Sequence, residues 1–146
     1  MYSGGEYQSE DADFILQSAT NRKALDDALA TIGFRRKGDH YEHPSSRFFI
    51  EFPPGPLSIG RDLRIVPAHL KVGSGDLLAL SATDSCRDRL AAYYHWNDLQ
   101  SLETAIAIAL RHKVDLRRIQ MWSAAEGMET RFNGFRRQLE DRRSKR

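Results

Sequence analysis

The sequence predicts an α+β fold: a small mixed or antiparallel sheet followed by a helical C-terminal half. Two patterns carry that expectation. Short alternating segments broken by Gly, Pro and Ser turns fill residues 1–80, whereas apolar residues at three- and four-residue spacing run through residues 81–146. Strands and one helix first, then helix after helix, is the order of an α+β domain and not of a repeating βαβ unit. With 146 residues, 40% of them hydrophobic, the chain is the size of one domain and can bury a core without disulfide or metal staples.

The elements follow in order. From Asp11 to Leu16 the run Asp-Ala-Asp-Phe-Ile-Leu places Asp11, Asp13 and Ile15 on one face of a strand and Ala12, Phe14 and Leu16 on the other. Thr20 and Asn21 are cap residues for a helix whose apolar stripe is Ala24, Leu25, Ala28, Leu29 and Ile32, and Gly33 stops it. Phe34 to Arg36, His40 to His43 and Arg47 to Phe52 read as strands of a hairpin sheet, closed by the break Pro53-Pro54-Gly55-Pro56. Leu63 to Val66 and Leu77 to Leu80 are two further strand expectations around the Gly73-Ser74-Gly75-Asp76 turn. Four helices are then expected, over Asp84 to Tyr94, Leu99 to His112, Leu116 to Trp122 and Met128 to Arg142. Ser81, Thr83 or Asp84, Asn97 or Asp98, and Asp115 mark the starts of the first three.

Composition narrows the function classes. No apolar run approaches the roughly 18 residues of a membrane span, and the first residues are acidic, unlike the basic start of an export signal. The lone Cys86 excludes an internal disulfide and a multi-cysteine zinc site, and its neighbours make it a packed helix residue. These features point to a cytoplasmic protein. Net charge is only +2, yet its distribution is uneven: Glu6, Glu10, Asp11 and Asp13 crowd the start, and Arg131, Arg136, Arg137, Arg142, Arg143, Lys145 and Arg146 crowd the end. The acidic start suits a metal and the basic tail an anion.

Two aspartates two apart on a strand point the same way, with Cα atoms roughly 6 to 7 Å apart from the strand rise. Glu51 is the third carboxylate, because it interrupts the apolar strand Phe48-Phe49-Ile50-Glu51-Phe52. It shares a face with Phe49, where a neighbouring strand would bring it beside Asp11 and Asp13. Oxygen ligands of this kind suit magnesium, which bridges the phosphates of a nucleoside triphosphate.

Ser9-Glu10-Asp11-Ala12-Asp13-Phe14, a helix ending at Ile32-Gly33-Phe34, and Ile50-Glu51-Phe52 resemble, in that order, the minimal and the abortive-infection (AbiEii-like) nucleotidyltransferases. Leu80-Ser81-Ala82-Thr83-Asp84 leading into Asp88-Arg89-Leu90-Ala91-Ala92, and Asn97-Asp98 leading into a helix with Glu103, are similar to the helical tail of those proteins. The resemblance implies a nucleotidyltransferase fold, with Asp11, Asp13 and Glu51 as magnesium ligands and catalytic residues, and with Ser9, Arg87 and Arg89 at the nucleotide. The partners it implies are a nucleoside triphosphate and an RNA or protein acceptor. In the family a Gly-Gly or Gly-Ser motif holds the triphosphate about ten residues before the aspartates. Here Gly4-Gly5 leaves only Glu6 to Glu10 before Asp11, so the expectation is a chain that lacks the phosphate-holding strand and helix, and that is inactive if they are missing.

Plainer readings stand beside these. Asp11 and Asp13 also suit a solvated edge strand, and Glu51 also suits a cross-strand pair with Arg47 or Arg64. The five histidines show no zinc spacing, and His95 reads as an end-of-helix residue. Tyr93, Tyr94 and Trp96, with Arg87 and Arg89, suit either base stacking or the seal between sheet and helices. The alternative function is a non-catalytic interaction module, a toxin–antitoxin partner or a nucleic-acid binder acting through the basic C-terminal helix. Phe132, Phe135 and Leu139 give that helix an apolar stripe.

Overall fold

The computed structural model describes residues 11–16, 20–73 and 75–145. Ser9, Glu10 and the Gly4-Gly5 pair lie outside the described residues. The fold is α+β, with a four-stranded sheet, a two-stranded sheet and a helical C-terminal half. No helix is long and apolar enough to cross a membrane among the described residues. The chain divides into two compact units, Gln8–Leu57 and, in the main, Ser58–Arg146.

In the first unit, β1 (Asp11–Asp13) precedes α1 (Arg22–Thr31), and β2 (Arg35–Lys37), β3 (His40–Glu42) and β4 (Phe49–Glu51) follow. The spatial order is β1-β4-β3-β2, with β1 parallel to β4 and the other pairs antiparallel. Asn21 caps α1, its side-chain oxygen accepting from the backbone N–H of Lys23. Gly33 ends the helix at φ +88°, and a Cβ there would lie 2.5 Å from the His43 ring, so both backbone and space require glycine. One sheet face carries Tyr41, fully buried, whose hydroxyl donates to Asp26 of α1 at 2.6 Å. Phe52 stacks on Phe14 and meets Tyr41 edge-on, so these rings and α1 close the apolar side of this sheet.

The second unit opens with a loop and the hairpin β5 (Ala68–Val72) and β6 (Gly75–Ala79). The strand expected over Leu63 to Val66 is not formed. Ile59 and Asp62 exchange backbone hydrogen bonds there, and the Asp62 carboxylate accepts from the Arg64 N–H, a local turn that outcompetes extended pairing. Four helices follow: α2 (Ala82–Trp96), α3 (Leu99–Arg111), α4 (Leu116–Ala125) and α5 (Glu129–Arg143). Ser81, Asp98 and Asp115 cap the first three. The left-handed Asn97 turns the chain from α2 into α3. The core is helical: Leu90, Ile106, Ile119, Phe135 and Leu139 are fully buried around Cys86. Burial pushes the Cys86 thiol up to about 12.

Candidate functional site

The register of the four-stranded sheet decides which polar side chains meet. Asp13 pairs with Glu51 and Asp11 with Phe49 across β1 and β4, and Glu51 in turn pairs with His40 of β3. Paired residues project to the same side, so Asp11, Asp13 and Glu51 share one face, as the alternation of the two strands predicts. Lys37 of β2 stands opposite His40, completing a row Asp13, Glu51, His40, Lys37 across the sheet. A second row runs Asp11, Phe49, Glu42, Arg35. Carboxylates therefore occupy the β1–β4 side of this face, and cations the β2 side.

His40 sits between them. Its Nε2 is 3.0 Å from Glu42 and its Nδ1 3.2 Å from Asp39, and the ring packs 5.2 Å from Phe49. These carboxylates, Glu42 first, hold the imidazole above its usual range, while His40 and Lys37 hold Glu42 below the usual carboxylate range. His40 and Lys37 were not singled out by spacing. The signal that would have found them is the polar alternation of His40 and Glu42 around the buried Tyr41.

Among the described residues no three His, Cys, Asp or Glu side chains gather into a preformed metal cage. The paired Asp13 and Glu51, with Asp11 one pleat away, still have the donor chemistry that magnesium uses: it takes one or two carboxylates, keeps waters, and completes its shell with substrate phosphates.

In the second unit the other expected residues are placed differently. Arg87 is only 1% exposed. Its guanidinium donates to Asp84 at 2.7 Å and to Asp62 at 2.6 Å and lies over the Trp122 ring, so this arginine is a buried ionic strut held in place by two carboxylates. Arg89 bonds the neighbouring Asp88 at 2.6 Å. Tyr94 is buried, stacked on Trp122 and bonded to Ser123, whereas Trp96 is exposed. His95 lies 3.7 Å from the buried Glu126. Along the basic tail, Arg131 bonds the Tyr93 carbonyl, Arg142 pairs with Glu103 and Arg143 reaches the Ala109 carbonyl. Phe132, Phe135 and Leu139 form the buried stripe of α5.

The same unit holds a cavity of about 630 Å³ that spacing did not reveal. Its walls include Arg61, Arg64, Arg87, Arg118, Met121 and Glu126. Gly60, at φ +58°, lets the chain lie against Glu126, whose carboxylate a Cβ would meet at 2.8 Å and whose Oε1 accepts from the Arg61 N–H.

No family model, curated protein or solved structure matches this chain. Its function is therefore read from its own residues.

Proposed function

We propose that the chain is a nucleotidyltransferase-like protein that binds a nucleoside triphosphate with magnesium at Asp11, Asp13 and Glu51 and transfers the nucleotide to a hydroxyl acceptor. The observation that carries the reading is the pairing of Asp13 with Glu51 across adjacent strands, with Asp11 on the same face. Two carboxylates brought together from strands far apart in sequence make a site for a hard cation more directly than an Asp-x-Asp pair alone. When bound, magnesium supplies neutralisation of triphosphate and pyrophosphate charge. Asp11 and Asp13 would hold the ion, and Glu51 would accept the proton of the acceptor hydroxyl as that oxygen attacks the α-phosphate and pyrophosphate leaves. His40 and Lys37, on the cationic side of the row, stand where they can attract the phosphate tail.

The reading is tested by incubating the protein with labelled nucleoside triphosphates, magnesium, and RNA or protein acceptors, beside Asp13→Ala. Labelling by the unaltered chain that the variant loses supports the proposal. Equal labelling by both removes Asp13 from the chemistry.

A further inference from the structure

The cavity of the second unit has a composition that its own ion pairs do not balance. Arg61 lies 3.6 Å from Glu126, Arg64 3.7 Å from Asp62, and Arg118 2.9 Å from Asp84, while Arg87 is shared between Asp84 and Asp62. Among the described residues four guanidiniums thus share three carboxylates, leaving one positive charge in excess. The side chains of Arg61 and Arg64 are 76% and 96% exposed, so both can turn onto a ligand at little structural cost. Among the described residues, two buried atoms of the lining, Arg87 Nε and Glu126 Oε2, have no hydrogen-bond partner, and Glu126 Oε2 has only the longer contacts to Arg61 at 3.6 Å and His95 at 3.7 Å. Buried polar atoms are rarely left so.

Part of the wall is apolar and exposed. Leu63 and Met121, 62% and 65% exposed, both line the cavity. The two faces of Trp122 are less available, since Tyr94 stacks on this ring and Arg87 lies over it. A ligand with a flat, weakly polar body would lie along Leu63 and Met121, and an anionic end would meet the arginines. The volume is that of a small-molecule pocket.

We propose that this cavity binds a mononucleotide, its phosphate held by Arg64, Arg61 and Arg118 and its base laid against Leu63 and Met121. Guanidinium forks match phosphate oxygens in pairs, which a lysine cluster would not do. The buried Arg87, fixed by two carboxylates, holds positive charge beneath the phosphate without itself being mobile. The site is separate in composition from the carboxylate row of the first unit and needs no metal.

The experiment is calorimetric titration of the full chain in EDTA with AMP, adenosine and inorganic phosphate. EDTA silences metal-dependent binding at Asp11, Asp13 and Glu51, so the result does not depend on the transferase reading. Saturable AMP binding is expected, with adenosine and inorganic phosphate each at least about tenfold weaker, because one lacks the anion and the other the body. Arg64→Ala and Met121→Glu, both at exposed positions, are expected to weaken AMP at least about fivefold with an unchanged circular dichroism spectrum. Asp13→Ala is expected to bind AMP as the unaltered chain does. Absence of saturable AMP binding, AMP binding no tighter than adenosine or phosphate, or AMP binding unmoved by both cavity variants would each overturn the proposal, as would its loss in Asp13→Ala.

Discussion

The two units hold their charged groups in opposite ways. In Gln8–Leu57 the polar row Asp13, Glu51, His40, Lys37 lies on a sheet face whose other side is packed by Tyr41, Phe14 and Phe52. In Ser58–Arg146, Asp84, Arg87 and Glu126 are buried inside a helical unit whose apolar core surrounds Cys86. The difference is one of desolvation. Side chains on an open face keep much of their hydration and can exchange water for a ligand, whereas a buried pair has already lost its water and is held by geometry. The sheet face is therefore suited to recruiting a cation, and the buried network to fixing the arginines around a cavity.

Substitutions separate these two behaviours. The largest expected effect is from Arg87→Ala, which removes the buried cation shared by Asp84 and Asp62 and leaves the interior Asp84 to Arg118 and the Ser81 hydroxyl. A loss of about 2–4 kcal/mol is expected by chemical denaturation, and a loss below about 1 kcal/mol would mean that Arg118 alone balances Asp84. A smaller effect belongs to the helix start at Asp98, whose carboxylate accepts from the Gln100 and Ser101 N–H groups and from the Ser101 hydroxyl. Asp98→Ala should cost about 1 kcal/mol near neutral pH. The Ser101 bonds hold the Asp98 carboxyl below its ordinary value of 3.8, so its contribution is present above that value and is lost as pH falls through the lower folded one. The gap between the two proteins should accordingly narrow in acid, and a gap that widens there would contradict the assignment.

The smallest effect on stability belongs to the open face. Glu42→Gln should leave the unfolding transition where it is in the unaltered chain, because Glu42 and its partner Lys37 are both exposed. Its readout is the imidazole of His40: proton resonances followed against pH should show the His40 midpoint drop toward the ordinary 6.5 once the Glu42 carboxylate is gone. An unmoved midpoint would mean that Asp39 alone holds the raised value.

Local chemistry was legible in the sequence and tertiary pairing was not. Asn21, Asp98 and Asp115 are read as helix starts because their bonds span two or three residues. The alternation around Asp11 and Asp13 gives their shared face for the same reason. That Glu51 lies opposite Asp13 depends on the strand register, which a single strand cannot specify. The burial of Arg87 depends on Asp62, 25 residues away. The segment Leu63 to Val66 reads as a strand from its apolar content, yet the Asp62 turn and Pro67 beyond it keep that stretch irregular and leave Leu63 on the cavity wall.

The central claim is that Asp13 and Glu51 act together on one cation, and calorimetry tests it most directly. Manganese, as a stand-in for magnesium, would be titrated into the protein in the presence of a non-hydrolysable nucleoside triphosphate, with Asp13→Asn and Glu51→Gln alongside. The account predicts saturable binding that each single substitution weakens at least about tenfold and that the double substitution weakens by less than the product of the two, as expected of residues sharing a ligand. Binding unchanged in both single variants would contradict it.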